Sequence, residues 1–219
     1  MTRIAIVGGH GKIARLLIPQ LVTAGHQPVA LVRKPEYTEE LEALGAEVSL
    51  LDIEASDADD FAKAFEGAGA VVFAAGGGAD GNAERKKTVD LGGSVKSIAG
   101  ATAAGVRRFV QISAIGVDNP LGDDVEPGWV AYVEAKRDAD VALRGSDLDW
   151  TIIRPGGLTD DPATGGITLA ETVDRGEIPR ADVAAVITAV LDDPSTIGKQ
   201  WEVVGGSTPV ADAISSATS

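Results

Sequence analysis

Apolar residues in this chain alternate between short continuous runs and stretches where they recur every three or four positions. The runs are Ile4-Ala5-Ile6-Val7, Pro28-Val29-Ala30-Leu31-Val32, Ala70-Val71-Val72-Phe73-Ala74-Ala75, Arg108-Phe109-Val110-Gln111-Ile112 and Trp150-Thr151-Ile152-Ile153. Most carry β-branched residues with little polar alternation, which predicts parallel strands covered on both faces. Glu47-Val48-Ser49-Leu50-Leu51 adds one more, third in order. Helical spacing fills the gaps: Leu16, Leu17, Ile18 and Leu21 in a first helix stopping at Ala24-Gly25, then helices over 37–44, 57–65, 83–104 and 129–144. Strand and helix alternating in this way imply right-handed crossovers and an α/β doubly wound parallel sheet with helices on both faces.

Beyond Pro155 the pattern thins. It predicts a strand over 167–173, a helix over 181–191, a strand over 200–204, a short helix over 210–214 and a frayed tail over 215–219. With 219 residues the chain suits one domain, with 155–219 completing the sheet and forming a small extension on the substrate side.

The first strand runs straight into Gly8-Gly9-His10-Gly11-Lys12-Ile13-Ala14, and a helix follows. Gly8 permits a sharp turn, Gly11 removes a side chain where a diphosphate must approach the backbone, and Ala14 keeps helix and strand close. Alone, such a heptamer is also compatible with a plain turn. Between a strand and a helix N-terminus it reads as a Rossmann-type dinucleotide fingerprint, where unpaired N–H groups attract an anion. A net charge of −14 argues against nucleic acid or an anionic membrane as partner. No cysteine is present, and the two histidines, His10 and His26, do not suggest a metal site. With no basic-then-apolar leader, the expectation is a cytoplasmic protein, monomer or homodimer, acting on a small molecule.

In so acidic a chain the second strand's end is informative. Arg33 and Lys34 stand there, where NAD-selective folds usually place a carboxylate, and this favours the 2′-phosphate of NADP, with NAD the weaker expectation. A solvated charged turn is the alternative. Asp52, ending the third strand, could accept from the adenine amino group or cap the helix beginning near Ser56-Asp57. The fourth strand should lie beside the first, so its exit, Ala74-Ala75-Gly76 followed by Gly77-Gly78, falls where strand order reverses.

Four features in order, Gly8-x-x-Gly11-x-x-Ala14, Ser113 at a strand end, Tyr132-x-x-x-Lys136 on a helix and Arg154-Pro155-Gly156, resemble the short-chain dehydrogenases/reductases. The likeness is to their atypical, NmrA-like and sugar-epimerase-like branch. It implies Tyr132 as general acid/base, Lys136 lowering its pKa while holding the nicotinamide ribose, and Ser113 orienting the substrate oxygen. The resemblance adds Pro155, Gly156 and Leu158 to the cofactor contacts of Gly8, His10, Gly11, Lys12, Ile13, Arg33, Lys34, Asp52, Ala74, Ala75, Gly76 and Lys136. Taken by themselves, Tyr132 and Lys136 are also an aromatic and a basic residue at ordinary helical spacing.

Two departures from the pattern matter. Asp90, in Val89-Asp90-Leu91-Gly92-Gly93, stands where extended relatives carry Asn. It could accept from a water, pair directly with Lys136 and draw it from Tyr132, or lie on a solvated face. The short segment after Pro155 leaves little room for a nucleotide sugar. A small carbonyl, quinone or flat heterocycle fits better, with Trp129 and the 115–128 loop as candidate contacts unless Trp129 is core. The reading is an NADPH-dependent oxidoreductase. The alternatives are a non-catalytic NADP(H)-binding redox sensor, or a flavin or bilin reductase that needs no tyrosine.

Overall fold

The computed structural model describes residues 1–78, 82–122 and 124–219. Its strands are β1 (Arg3–Val7), β2 (Gln27–Val32), β3 (Glu47–Leu50), β4 (Ala70–Phe73), β5 (Arg108–Ile112), β6 (Asp149–Pro155), β7 (Gly157–Thr159), β8 (Gly166–Ala170), β9 (Glu177–Pro179), β10 (Lys199–Gly205) and β11 (Thr208–Pro209). The α-helices are α1 (Lys12–Thr23), α2 (Thr38–Ala43), α3 (Ala58–Ala64), α4 (Ala83–Arg85), α5 (Gly92–Ala103), α6 (Pro127–Arg144), α7 (Arg180–Asp192) and α8 (Val210–Thr218).

One sheet runs β11-β8-β10-β6-β5-β4-β1-β2-β3. Every pairing from β3 across to β10 is parallel, and β8 runs against both β10 and β11. Strand alternation splits the core in two. Ile4 and Ile6 of β1 join Leu17, Ile18 and Leu21 of α1 and Val183, Val186 and Ile187 of α7 on one face. Ala5 and Val7 join Phe61, Ile98, Phe109 and Leu143 under α3, α5 and α6 on the other. Burial on both faces is why these strands read as unbroken apolar runs. Among the described residues no helix is long and apolar enough to cross a membrane.

The structure differs from expectation in three places. The helix expected over 83–104 is interrupted by a π-helical turn, Lys86–Leu91, between α4 and α5. The tail expected to fray is helical to Thr218, because Ala213 and Ile214 are buried and Thr218 Oγ1 donates to the Ile214 carbonyl at 3.0 Å. The strands β7, β9 and β11 span two or three residues, too few for any periodicity to register. Of these, β7 and β9 pair in parallel as a separate ribbon beyond β6.

Because β4 lies against β1 while the chain next to β1 on the other side is β2, strand order reverses between β1 and β4. Ligands of such sheets sit outside the carboxyl ends of the strands at that point. Arg33, Asp52, Gly76 and Ser113 all lie just past the ends of their strands on this side.

Candidate functional site

The turn after β1 is built for a close approach. Gly8 has φ +82°, and a Cβ there would stand 2.8 Å from the Ala75 backbone. Gly11 N-caps α1 at φ −64° with no side-chain cap, so the helix's first N–H groups are left for an external acceptor. A cleft of about 210 Å³ opens beside it, lined by Gly8, His10, Gly11, Arg33, Lys34, Asp52, Ala74, Ala75 and Gly76 among the expected contacts. Tyr37, Glu54 and Arg85 line it too, which the sequence did not reveal. An apolar floor, a glycine cradle at a helix N-terminus and cations on the rim of an acidic chain fit a dinucleotide.

Side chains fix this wall. The His10 ring stacks on Tyr37 with centroids 3.6 Å apart and planes within 1°, and His10 Nε2 lies 3.0 Å from Glu40 Oε2. Arg15 donates to the other Glu40 oxygen at 2.9 Å, and Arg15 first, then His10, holds that carboxyl below its ordinary range. Asp52 Oδ1 accepts from the backbone N–H of Glu54 at 2.9 Å. The cap of α3 is Asp57, reciprocated by Asp60 in a capping box, so Asp52 is not the helix cap.

Lys12, Ile13, Lys136, Pro155, Gly156 and Leu158 stand outside that cleft. Lys12 Nζ turns to Asp160 Oδ2 at 2.6 Å, and Arg180 donates to Asp160 Oδ1 at 2.6 Å. Ile13 packs on the core. Pro155 ends β6, a Cβ on Gly156 would run into the Gly176 carbonyl, and Leu158 is exposed on β7.

The second half of the site hangs on α6. Tyr132, Lys136 and Asp140 share one helical face. Lys136 is buried, with its ammonium 3.2 Å from Asp90 Oδ1, 3.2 Å from the Ile112 carbonyl and 3.4 Å from the Ala75 carbonyl. Asp90 is wholly enclosed, which rules out the solvated-face alternative. Its Oδ2 accepts from Gly77 N–H at 2.7 Å, while Oδ1 has no aligned hydrogen-bond donor among the described residues and meets Lys136 as a charge contact. Burial alone would push the Lys136 pKa down, but Asp90 foremost, with Tyr132 and Asp140, holds it above the ordinary value. A π turn swings Asp90 inward, a common use of such bulges at sites.

Burial raises the Tyr132 pKa, Lys136 opposes it, and Asp90 and Asp140 add to it, so the phenol stays neutral well past neutrality. Lys136 thus acts in the direction the resemblance implies, while burial and the two carboxylates outweigh it. The buried Lys86, on the π turn, lies 5.5 Å from the Tyr132 ring centre and donates to the Gly78 carbonyl. Trp129 is half exposed, 5.3 Å from the Tyr132 ring, and so is not core. Of the 115–128 loop, Asp123 lies outside the described residues.

Ser113 Oγ donates to Asp140 Oδ2 at 2.7 Å, and Asp140 also accepts from Gln111 at 2.7 Å and Arg154 at 2.9 Å. Having one proton, already committed, this hydroxyl can only accept on its other side.

Residues 8–194 match the model of the NAD(P)H-binding family. A Bacillus subtilis (strain 168) protein named as an uncharacterized sugar epimerase, YhfK, is 36% identical over 97% of this chain and 98% of its own. A Bacillus halodurans structure described as an NAD-dependent epimerase/dehydratase is 38% identical, with a TM-score of 0.92 over 99% of this chain and 100% of its own. The anaerobilin reductase ChuY of Escherichia coli O157:H7 is 26% identical, with a TM-score of 0.79 over 93% of this chain and 97% of its own. This chain therefore belongs to the NAD(P)H-binding, Rossmann-type, oxidoreductase-like family.

Proposed function

We propose that this protein is an NADPH-dependent reductase of a small planar electrophile, a carbonyl, quinone or flat heterocycle, with Tyr132 as proton donor. The observation that carries this is the partly buried phenol of Tyr132 one helical turn from Lys136, on the side of the sheet where strand order reverses. A bound reduced nicotinamide supplies the hydride. Tyr132 delivers the proton to the oxygen or conjugated anion that hydride addition leaves. A neutral phenol suits reduction, whereas alcohol oxidation needs the phenolate as base. Lys136 borders the nicotinamide ribose, and Asp90 positions it. Ser113 offers an acceptor to the substrate, and Asp140 fixes its orientation. Arg33 and Lys34 select the 2′-phosphate, Asp52 faces the adenine amino group, and Pro155, Gly156 and Leu158 border the nicotinamide, with Lys12 and Ile13 offering N–H groups at the first turn of α1.

A second reading, hydride positioning without a required tyrosine, is favoured by the Lys136–Asp90 contact at 3.2 Å, which engages the ammonium with a carboxylate. The anaerobilin reductase's similarity supports a flat heterocycle in either reading. NADPH oxidation against aldehydes, ketones, quinones, flavins and bilins tests the proposal. Turnover with at least one acceptor is expected; saturating NADPH with no turnover on any would overturn it.

A further inference from the structure

Glu54 places one carboxylate between two arginines on the rim of the dinucleotide cleft. Its Oε2 lies 3.7 Å from Arg33 and 4.0 Å from Arg85, and its Oε1 accepts from Thr88 Oγ1 at 2.7 Å. Asp52 holds it there, through the Glu54 N–H. The three charged residues come from separate places, the end of β2, the turn after β3 and the end of α4, yet all line the same cleft. Both ion contacts are longer than hydrogen bonds and partly exposed, with side chains 52%, 38% and 34% accessible for Arg33, Arg85 and Glu54, so neither is strong. A carboxylate where two guanidinium groups converge occupies the place a phosphate monoester would take.

We propose that Arg33 and Arg85 form a two-armed clamp for the 2′-phosphate of NADP, with Glu54 as an internal competing anion that limits the preference over NAD. The proposal rests on the NADPH reading above and adds two residues to it. A phosphate monoester carries about −1.5 to −2 charge at pH 7 and three acceptor oxygens, against a single negative charge on Glu54, so it displaces the carboxylate from the arginines. A ribose 2′-hydroxyl is uncharged and can donate to Glu54 instead. Glu54 therefore opposes the 2′-phosphate and tolerates its absence.

The test is calorimetric binding of adenosine 2′,5′-bisphosphate and of 5′-AMP to the full chain, in wild type, Arg85→Gln and Glu54→Gln, with thermal melts alongside. Wild type should bind the bisphosphate more tightly. Arg85→Gln should lose about ten-fold or more for the bisphosphate while 5′-AMP stays within about two-fold. Glu54→Gln should gain several-fold, roughly, for the bisphosphate alone. If Arg85→Gln melts early, Arg85→Lys replaces it, and retention of part of the preference is expected. Equal losses for both ligands in the Arg85 variant, or an unchanged ratio in Glu54→Gln, would overturn the clamp. A wild type that binds both ligands equally would instead refute the NADP reading beneath it.

Discussion

Lys136 Nζ lies 3.2 Å from Asp90 Oδ1 in the interior, the carboxylate wholly enclosed and the ammonium nearly so. Removing one partner leaves the other charge buried and uncompensated, at a cost of about 3–5 kcal/mol. Asp90→Asn should lose that much in denaturant unfolding, and adding Lys136→Met should recover part of it. The sign follows from the raised Lys136 pKa: the pair's contribution is complete below the unfolded value of about 10.4 and is lost as pH rises through the higher folded value. The wild-type pair's contribution should therefore be flat from pH 6 to about 9, and the gap to Asp90→Asn should narrow toward high pH, because burial pushes the uncompensated Lys136 down and lets it shed its proton. An Asp90→Asn protein as stable as wild type would remove the pair from this account.

With Tyr132 as the proposed proton donor, its phenol should set the pH profile. Burial keeps Tyr132 protonated above its ordinary pKa of about 10. Proton donation should hold across pH 7 to about 9 and fall only above about 10, with no loss centred near neutrality. Stopped-flow reduction rates over that range check this. A fall between about pH 7 and 8 would mean the phenolate forms early.

Gly11 separates cofactor binding from folding. Its φ of −64° is open to any residue, and among the described residues an added Cβ would meet the Gly8 carbonyl at 3.1 Å and the Ala74 carbonyl at 3.6 Å. Gly11→Ala should melt within a few degrees of wild type yet bind NADPH about ten-fold more weakly, by crowding the diphosphate's approach. Undiminished binding would place the diphosphate elsewhere.

Local rules explain what was legible in the sequence. The β1 run, its glycine turn and α1 read correctly because a strand buried on both faces and a helix N-terminus each leave a mark within a few residues. The pairing of β4 with β1 followed from topology. Glu54, Tyr37 and Arg85 did not stand out, because they meet only through tertiary contacts in the cleft. The inward turn of Asp90 depends on a π bulge that has no periodicity of its own. Tyr132's raised pKa depends on burial and on Asp140, which packing decides.

Ser113 is anchored into a buried network, and its loss should be felt first in stability. Ser113→Ala takes a donor from Asp140, whose pKa burial already raises against Arg154, Ser113 and Gln111. The cost should be about 1–3 kcal/mol. If the variant unfolds like wild type but loses turnover, Ser113 acts on substrate as a donor and the Asp140 contact opens in the complex.

The most direct test compares NADPH oxidation by wild type and Tyr132→Phe, after both are shown to bind NADPH equally. A loss of about a hundred-fold or more is expected in the variant, with affinity unchanged. Turnover retained in Tyr132→Phe would contradict it and leave hydride positioning alone as the mechanism.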